Sequence, residues 1–299
     1  MKTRTTLGLA AWLVATCLVA PTYAQEAQDQ PAGDLVPPTS ARDFTSAQLD
    51  SILAGTWRSD ANRARDVYRH PKQTLEFFGV RPDYTVVEIT PGGGWYSEIL
   101  APLLMDNGHY VAALQKPAGG GEARQDSNGL HQKFAADPPH YGKATIVEFD
   151  PKAPSFGAPG SADVVLTFRN VHNWTMANTA PAMFKGFFAV LRPGGVLGVV
   201  DHRAAPNASL DAVKKSGYLP TAYVIKLATD AGFKLVESSE INANPKDTKD
   251  YPQGVWTLPP TLTLGDKDRA KYLAIGESDR MTLRFVKPAA PAGAGTAAH

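Results

Sequence analysis

Cysteine is almost missing from this sequence of 299 residues, which contains a single one, Cys17. Cys17 lies in an N-terminal segment that we expect to be removed. A mature chain without cysteine can form no disulfide, no zinc site built on thiolates and no cysteine nucleophile. An oxidising compartment would therefore leave its chemistry unchanged.

An excess of charge of either sign is also missing, because 30 basic residues face 29 acidic ones. This balance does not favour the basic surface with which proteins bind nucleic acid or anionic lipid, so we predict no nucleic-acid partner. Repeats at the periods typical of solenoids are not found either. The length and the 43% of hydrophobic residues suit one large α/β domain with short additions.

Long apolar runs are missing except for Leu7 to Ala20, which is too short to span a bilayer comfortably. Lys2 and Arg4 precede this run, and Pro21 to Ala24 follows it with small residues. This order is typical of a secretory signal peptide. We predict cleavage after Ala24, a periplasmic or secreted mature protein, and no stable membrane insertion after cleavage.

Lipidation at Cys17 is the alternative route, because Cys17 lies near the end of the apolar run. Thr16 is a poor residue before a lipidated cysteine, and Cys17 lies inside the run, so we favour cleavage after Ala24. The predicted domains are a signal peptide at 1–24, a flexible linker at 25–44, a folded domain at 45–287 and a disordered tail at 288–299. Gln, Asp, Ala, Pro and Gly dominate the linker and the tail, which have little apolar surface to bury.

Within the predicted domain, short β-branched runs alternate with longer helical patterns, as in parallel strands joined by crossover helices. The predicted strands are Thr85–Ile89, Tyr110–Leu114, Thr145–Phe149, Asp163–Phe168, Val196–Val200, Lys234–Ile241 and Thr282–Val286. The predicted helices are Ser46–Ala54, Ala61–Phe78, Tyr96–Leu104, Asn128–Ala136, Ala180–Leu191 and Ala222–Ala231. Several strands lack polar alternation, which favours a sheet covered on both faces. We predict a doubly wound, mostly parallel seven-stranded sheet with an N-terminal helical extension.

The stretch from Val86 to Glu98 is the most informative in the chain, because a β-run feeds a glycine-rich turn that opens a helix. Glycines at Gly92, Gly93 and Gly94 let the backbone approach a bound nucleotide and adopt positive φ. The first N–H groups of the helix then face the ligand. The glycines alone leave open whether the ligand is a dinucleotide, S-adenosylmethionine or none.

Glu88, inside the first strand, favours S-adenosylmethionine, because an acid can meet the cationic amino-acid end and would repel a pyrophosphate. The pattern Glu-x-x-Pro-Gly-x-Gly from Glu88 to Gly94 resembles the first motif of class I S-adenosylmethionine-dependent methyltransferases. The segments at Arg65–Pro71, Pro91–Pro102, Arg169–Trp174 and Gly276–Arg280 resemble a family of bacterial methyltransferases that are often exported. The resemblance implies the Rossmann-like methyltransferase fold and S-adenosylmethionine as cofactor, with Glu88, Thr90, Pro91, Gly92, Gly93 and Gly94 at its site.

The resemblance also places two residues beyond the next strands. Gln115 stands where such methyltransferases usually carry an acid that bonds both ribose hydroxyls, and a neutral hydrogen bond is weaker than a charge-assisted one. Asp150 stands where the fold usually contacts the adenine amino group. Its alternative interpretation is a solvated loop aspartate before Pro151.

Polar residues just past the fourth and fifth strands are candidates for substrate chemistry, since ligands bind beyond the carboxyl ends of such strands. His172 and His202 are the candidate general bases, and we expect both to open into the cleft of the glycine turn. Both could instead bond backbone groups and shape loops. The candidate substrate residues are Tyr68, Arg69, His70, Asn170, Trp174 and Asp201. We predict no metal, because His172, Asp201 and His202 have no local ligand spacing.

Three functions remain open from the sequence. The leading hypothesis is methyl transfer from S-adenosylmethionine to a small-molecule acceptor. The second is a noncatalytic periplasmic binding or interaction protein on a methyltransferase scaffold, which Gln115 and the leader favour and Glu88 opposes. The third, nicotinamide-dependent reduction, is weakened by Glu88 and by the lack of an acid at position 115.

Overall fold

The structure is a computed structural model that describes residues 39–116 and 122–289. The predicted signal peptide lies outside the described residues, as do most of the predicted linker and most of the predicted tail. Residues 39–44, predicted as linker, belong to the first helix, Thr39–Leu53, so that part of the segment is helical. Within the described ranges, no helix is long and apolar enough to cross a membrane.

All seven predicted strands are present, and they form one sheet. Their bounds are Thr85–Ile89 (β1), His109–Gln115 (β2), Thr145–Phe149 (β3), Ala162–Phe168 (β4), Leu191–His202 (β5), Lys234–Ser239 (β6) and Arg280–Val286 (β7). The strand order is β3-β2-β1-β4-β5-β7-β6. β7 runs antiparallel to β5 and β6, while the other neighbouring strands are parallel. The prediction of a mostly parallel seven-stranded sheet is confirmed, and β7 is the reversed strand.

The α-helices of the described residues flank the sheet. They are α1 (Thr39–Leu53), α2 (Asp60–Arg63), α3 (Asp66–Arg69), α4 (Pro71–Phe77), α5 (Ser97–Leu104), α6 (Glu122–Ala136), α7 (Pro138–Tyr141), α8 (Val171–Met176), α9 (Ala180–Val190), α10 (Leu210–Val213), α11 (Thr221–Asp230) and α12 (Arg269–Ile275). Two 3₁₀ turns lie at Lys214–Ser216 and Gly254–Thr257.

The single helix predicted over Ala61–Phe78 is wrong, because the chain forms α2, α3 and α4 there instead. His70 separates α3 from α4 in a left-handed conformation, with φ 41°. Pro71 disfavours the right-handed helical conformation at the residue before it, which explains the break at His70.

Two apolar clusters pack on the two faces of the sheet. Val87 and Ile89 of β1 belong to one cluster and Val86 to the other, as alternating side chains of a strand should. α5 covers the second face with Ile99 and Leu100, both with no exposed surface. Burial of each such side chain contributes about 1.5 to 3 kcal/mol. The central strands are therefore buried on both faces, whereas β6, at one edge of the sheet, is mostly exposed.

Candidate functional site

A cavity of about 570 Å³ opens where β1, β2 and β4 end. The carboxyl ends of these parallel strands meet at one edge of the sheet, which is the expected position for a ligand. The cavity is lined by Asn62, Arg65, Arg69, Glu88, Thr90, Pro91, Gly92, Gly93, Trp95, Tyr96, Leu114, Gln115, Phe168, Arg169, Asn170, Asn173, Trp174 and Trp256. Segments from most of the domain therefore converge on one space.

The glycine-rich turn between β1 and α5 forms one wall of this cavity. A Cβ added at Gly92 or Gly93 would meet no atom within 4 Å, so both residues border open space. A Cβ added at Gly94 would lie 2.8 Å from Cδ1 of Leu130, and Gly94 does not line the cavity. Thr90 has φ 51°, and its buried Oγ1 has no hydrogen-bond partner. Gly92 and Gly93 leave room for a ligand, whereas Gly94 leaves room for α6.

Glu88 lines the cavity although only 3% of the residue is exposed. One carboxylate oxygen accepts a hydrogen bond of 2.6 Å from the hydroxyl of Tyr110, which lies 2.7 Å from Oγ of Ser97. Burial raises the pKa of Glu88 to about 7, against the lowering effect of these hydrogen bonds. A cationic ligand group beside Glu88 would restore its charge.

The two residues predicted beyond β2 and β3 lie in different environments. Gln115 is half-buried and lines the cavity. Asp150 is exposed and does not line it, and its Oδ1 accepts a hydrogen bond from the backbone N–H of Lys152 at 2.9 Å. The geometry of Asp150 fits the loop interpretation, while its contact with a cofactor stays a prediction.

Asn170 and Trp174 both line the cavity, as predicted for substrate residues in this region. Nδ2 of Asn170 donates to the backbone oxygens of Ile89 at 3.0 Å and Thr90 at 3.3 Å. Asn170 thus fixes the start of α8 against the glycine-rich turn. Trp174 is 3% exposed and packs its ring 5.6 Å from that of Phe187. Trp174 therefore serves both the core and the cavity wall.

His172 and His202 do not line the cavity, and both are buried. Nδ1 of His172 lies 2.9 Å from Oδ1 of Asp201, and Nδ1 of His202 lies 2.5 Å from Oγ of Ser278. The ring centroids of the two histidines are 5.0 Å apart. The expectation that both imidazoles open into the cleft is therefore wrong for this cavity. The ring of Trp256, whose centroid lies 6.0 Å from that of His172, lines the cavity instead. Their role as general bases stays a prediction.

Asp201 is fully buried and does not line the cavity. Its carboxylate also accepts the backbone N–H groups of His172 at 3.3 Å and His202 at 2.7 Å. One ligand atom from each of these three side chains lies within 4.8 Å of the others. Burial lowers the pKa of His202 well below its usual range, and the neighbouring His172 adds to this effect. These hydrogen bonds show that Asp201 orients the side chain of His172.

Of the candidate substrate residues Tyr68, Arg69 and His70, Arg69 alone lines the cavity. Tyr68 is 37% exposed, and its ring lies against Gly276. His70 adopts the left-handed conformation that ends α3. Arg69 is buried, and its guanidinium lies 4.6 Å from the ring centroid of Trp95. Trp95 and Tyr96 are buried and also line the cavity.

The sequence did not reveal an arginine cluster beside the cavity. It consists of Arg65, Arg69, Arg169 and Arg280, of which the first three line the cavity. A single buried carboxylate, Glu277, bonds Nε of Arg65 at 2.7 Å and Nε of Arg69 at 3.2 Å. Burial alone would raise the pKa of Glu277, but the arginine cluster lowers it to about 2. All four arginines lie in segments that carry the family resemblance, but only Arg69 was assigned a role from the sequence.

No protein-family model and no curated protein sequence matches the chain. Solved structures do match it in fold. A S-adenosylmethionine-dependent methyltransferase from Aquifex aeolicus matches with a TM-score of 0.51 and 12% identity, over 81% of this chain and 98% of that one. The [4+2]-cyclase SpnF matches with a TM-score of 0.54 and 14% identity, over 84% of this chain and 96% of that one. The fold is thus the Rossmann-like fold of class I methyltransferases.

Proposed function

We propose that the protein transfers a methyl group from S-adenosylmethionine to a small-molecule acceptor. One observation carries this proposal: Glu88 and the open backbone of Gly92 and Gly93 face the same cavity at the carboxyl edge of the sheet. A ligand that combines a nucleoside with a cationic amino-acid end fits that pair of features. The similarity to solved methyltransferases supports the same chemistry.

The residues of the cavity suit the parts of such a cofactor. Glu88 would bind the cationic amino-acid end, and the backbone of Thr90, Gly92 and Gly93 would approach it closely. Gln115 would bond a ribose hydroxyl with its amide. The bound cofactor would supply an electrophilic methyl group, and the protein would position the acceptor against it and exclude water.

A noncatalytic or differently catalytic binding protein is the second candidate. Gln115 in place of an acid favours it, as does the burial of both histidines away from the cavity. SpnF is described as a cyclase, so this fold does not by itself imply methyl transfer. Methyl transfer to any acceptor would exclude this candidate, whereas cofactor binding without turnover would favour it.

Calorimetry of the purified protein tests the proposal, with S-adenosylmethionine, its demethylated product and NADH as ligands. We expect the first two to bind and NADH not to bind. Gly93→Ala places a methyl group in the space left for the ligand without backbone strain, and should weaken cofactor binding at least tenfold. Gly129→Ala is the matched control, because its Cβ also meets no atom within 4 Å but lies on α6, outside the cavity. Equal binding by both variants would contradict the proposal.

A further inference from the structure

The charged residues that line the cavity are mostly basic. Three of the four are the arginines Arg65, Arg69 and Arg169, and the fourth is Glu88. Burial holds the pKa of Glu88 near 7, so this carboxylate is only partly ionised at neutral pH. Arg280 and Glu277 lie behind the wall and pair with each other, with Nη1 of Arg280 3.2 Å from Oε2 of Glu277. The wall therefore carries an excess of positive charge.

The guanidinium groups of this wall are incompletely paired. Arg69 is 4% exposed, and its Nη2 is buried without a hydrogen-bond partner. Nη2 of Arg65 is also buried without a partner. Arg169 has no salt bridge or side-chain hydrogen bond among the described residues. Buried donors without partners are unfavourable, so the guanidinium groups of Arg65 and Arg69 retain hydrogen-bonding capacity for a ligand.

The backbone at Arg169 supports the same interpretation. Arg169 has φ 63°, in the left-handed region that residues other than glycine rarely adopt. It directly follows β4, and its backbone N–H donates to the backbone oxygen of Val200 at 2.7 Å. Backbone strain of this kind persists where the surrounding structure fixes the residue, and it is concentrated at active sites and ligand-binding sites. Here it places Arg169 at the cavity wall, close enough to Arg69 for its charge to lower the pKa of Arg69.

We propose that Arg65, Arg69 and Arg169 form a subsite for an anionic group of the acceptor, a carboxylate or a phosphate. The planar guanidinium matches both oxyanions through paired N–H donors. A single carboxylate, Glu277, leaves most of the positive charge of the arginine cluster uncompensated, so a dianion should bind better than a monoanion. This inference rests on the proposed function in one respect, that the same cavity also holds the cofactor.

Anion binding to the purified protein tests the subsite, with inorganic phosphate and acetate as probes at pH 8 and constant ionic strength. The protein is first saturated with S-adenosylhomocysteine, so that only a separate subsite can bind the probe. We expect phosphate to bind more tightly than acetate, and the affinity for phosphate to fall as salt is added. Displacement of S-adenosylhomocysteine by phosphate would overturn the proposal, because the arginines would then hold the carboxylate of the cofactor.

The variant Arg169→Gln should weaken phosphate binding at least tenfold and leave S-adenosylhomocysteine binding unchanged. It removes no salt bridge, so folding should be retained, and Arg65→Gln serves as a second variant if it is not. Arg284→Gln is the control, because Arg284 pairs with Glu237 on the surface and does not line the cavity.

Equal phosphate binding by the Arg169 and Arg284 variants would overturn the subsite. So would an absence of phosphate binding to a protein that binds S-adenosylhomocysteine. Phosphate binding that depends on Arg169, in a protein that does not bind S-adenosylhomocysteine, would support the anion subsite and contradict the proposed function instead.

Discussion

At the scale of single residues, the environment of Glu88 predicts how cofactor affinity depends on pH. A cation beside Glu88 favours the ionised carboxylate, so binding should release a proton when the pKa of the free protein is about 7. We expect the affinity for S-adenosylmethionine to rise between about pH 5 and pH 7 and to level off above. Calorimetry across this range measures the change. Glu88→Gln is the control, because this variant lacks the carboxylate and retains the titration of the ligand. The same dependence of affinity on pH in both proteins would contradict the prediction.

The same residue affects stability in the free protein. The pKa of Glu88 in the folded protein lies above its usual value of 4.5, so the protonated form is favoured by folding. Its contribution is fully present below pH 4.5 and is lost as pH rises through about 7. The loss is roughly 3 to 4 kcal/mol at most, at about 1.4 kcal/mol for each unit of pKa. A cationic ligand beside Glu88 offsets this loss, so the protein should be more stable above pH 7 with the ligand bound than without it.

Gln115 permits a second prediction at this scale. Gln115→Asp should tighten the binding of S-adenosylmethionine by roughly 1 kcal/mol if the residue bonds the ribose, because a charged acceptor strengthens the hydrogen bond. Calorimetry at pH 8 measures the gain. Gln132→Asp is the matched control, since Gln132 is exposed on α6 and does not line the cavity, so its replacement should leave the affinity unchanged. Unchanged affinity in Gln115→Asp would place the ribose elsewhere.

The histidines provide a third prediction. His172→Ala removes the hydrogen bond to Asp201 inside the protein, which should lower the free energy of unfolding by about 1 to 3 kcal/mol. Because His172 does not line the cavity, cofactor affinity should change little. Urea titration and calorimetry measure the two effects. A loss of turnover by roughly 10² to 10⁴ in the folded variant would instead support the general base predicted from the sequence.

At the scale of elements, β1, β4 and most of β5 were predictable because they are runs rich in Val, Ile and Leu that are buried on both faces. β6 is mostly exposed, and it ends two residues earlier than predicted. The break at His70 was missed, although Pro71 was its signal, because the apolar spacing continues across it. The glycine-rich turn and Glu88 were predictable because one local segment carries both. The pairing of Arg65 with Glu277 joins residues 212 positions apart, so local patterns could not reveal the arginine cluster.

The contacts of Glu277 connect the N-terminal helices with the start of β7. Removing this carboxylate leaves buried cations unpaired, so Glu277→Gln should lower the free energy of unfolding by about 3 to 5 kcal/mol at pH 7. The pKa of Glu277 is lowered from 4.5 to about 2, so its stabilisation is present above pH 4.5 and is lost as pH falls through 2. Urea titrations at several pH values measure the difference, which should shrink in acid. Glu237→Gln, which breaks a surface pair, should change stability by less than about 1 kcal/mol.

At the scale of the whole molecule, the predicted route of export bears on the proposed chemistry. S-adenosylmethionine is made in the cytosol, so a mature protein outside it would need either a supply of cofactor or another ligand. We propose that the first 24 residues are a signal peptide and that the mature chain begins at Gln25, because a charged start, an apolar run and a small-residue site follow in order.

N-terminal sequencing and mass measurement of the protein from fractionated cells test this last prediction. We expect Gln25 as the first residue and the protein in the periplasmic or secreted fraction. Ala24→Asp, which places a charged side chain at the predicted cleavage site, should leave the precursor uncut, whereas Ala27→Asp beyond the site should be processed normally. A cytosolic protein that retains Met1 would contradict export and remove the question of cofactor supply. A lipid on Cys17 would replace cleavage after Ala24 by an anchored form and leave the folded domain outside the cytosol.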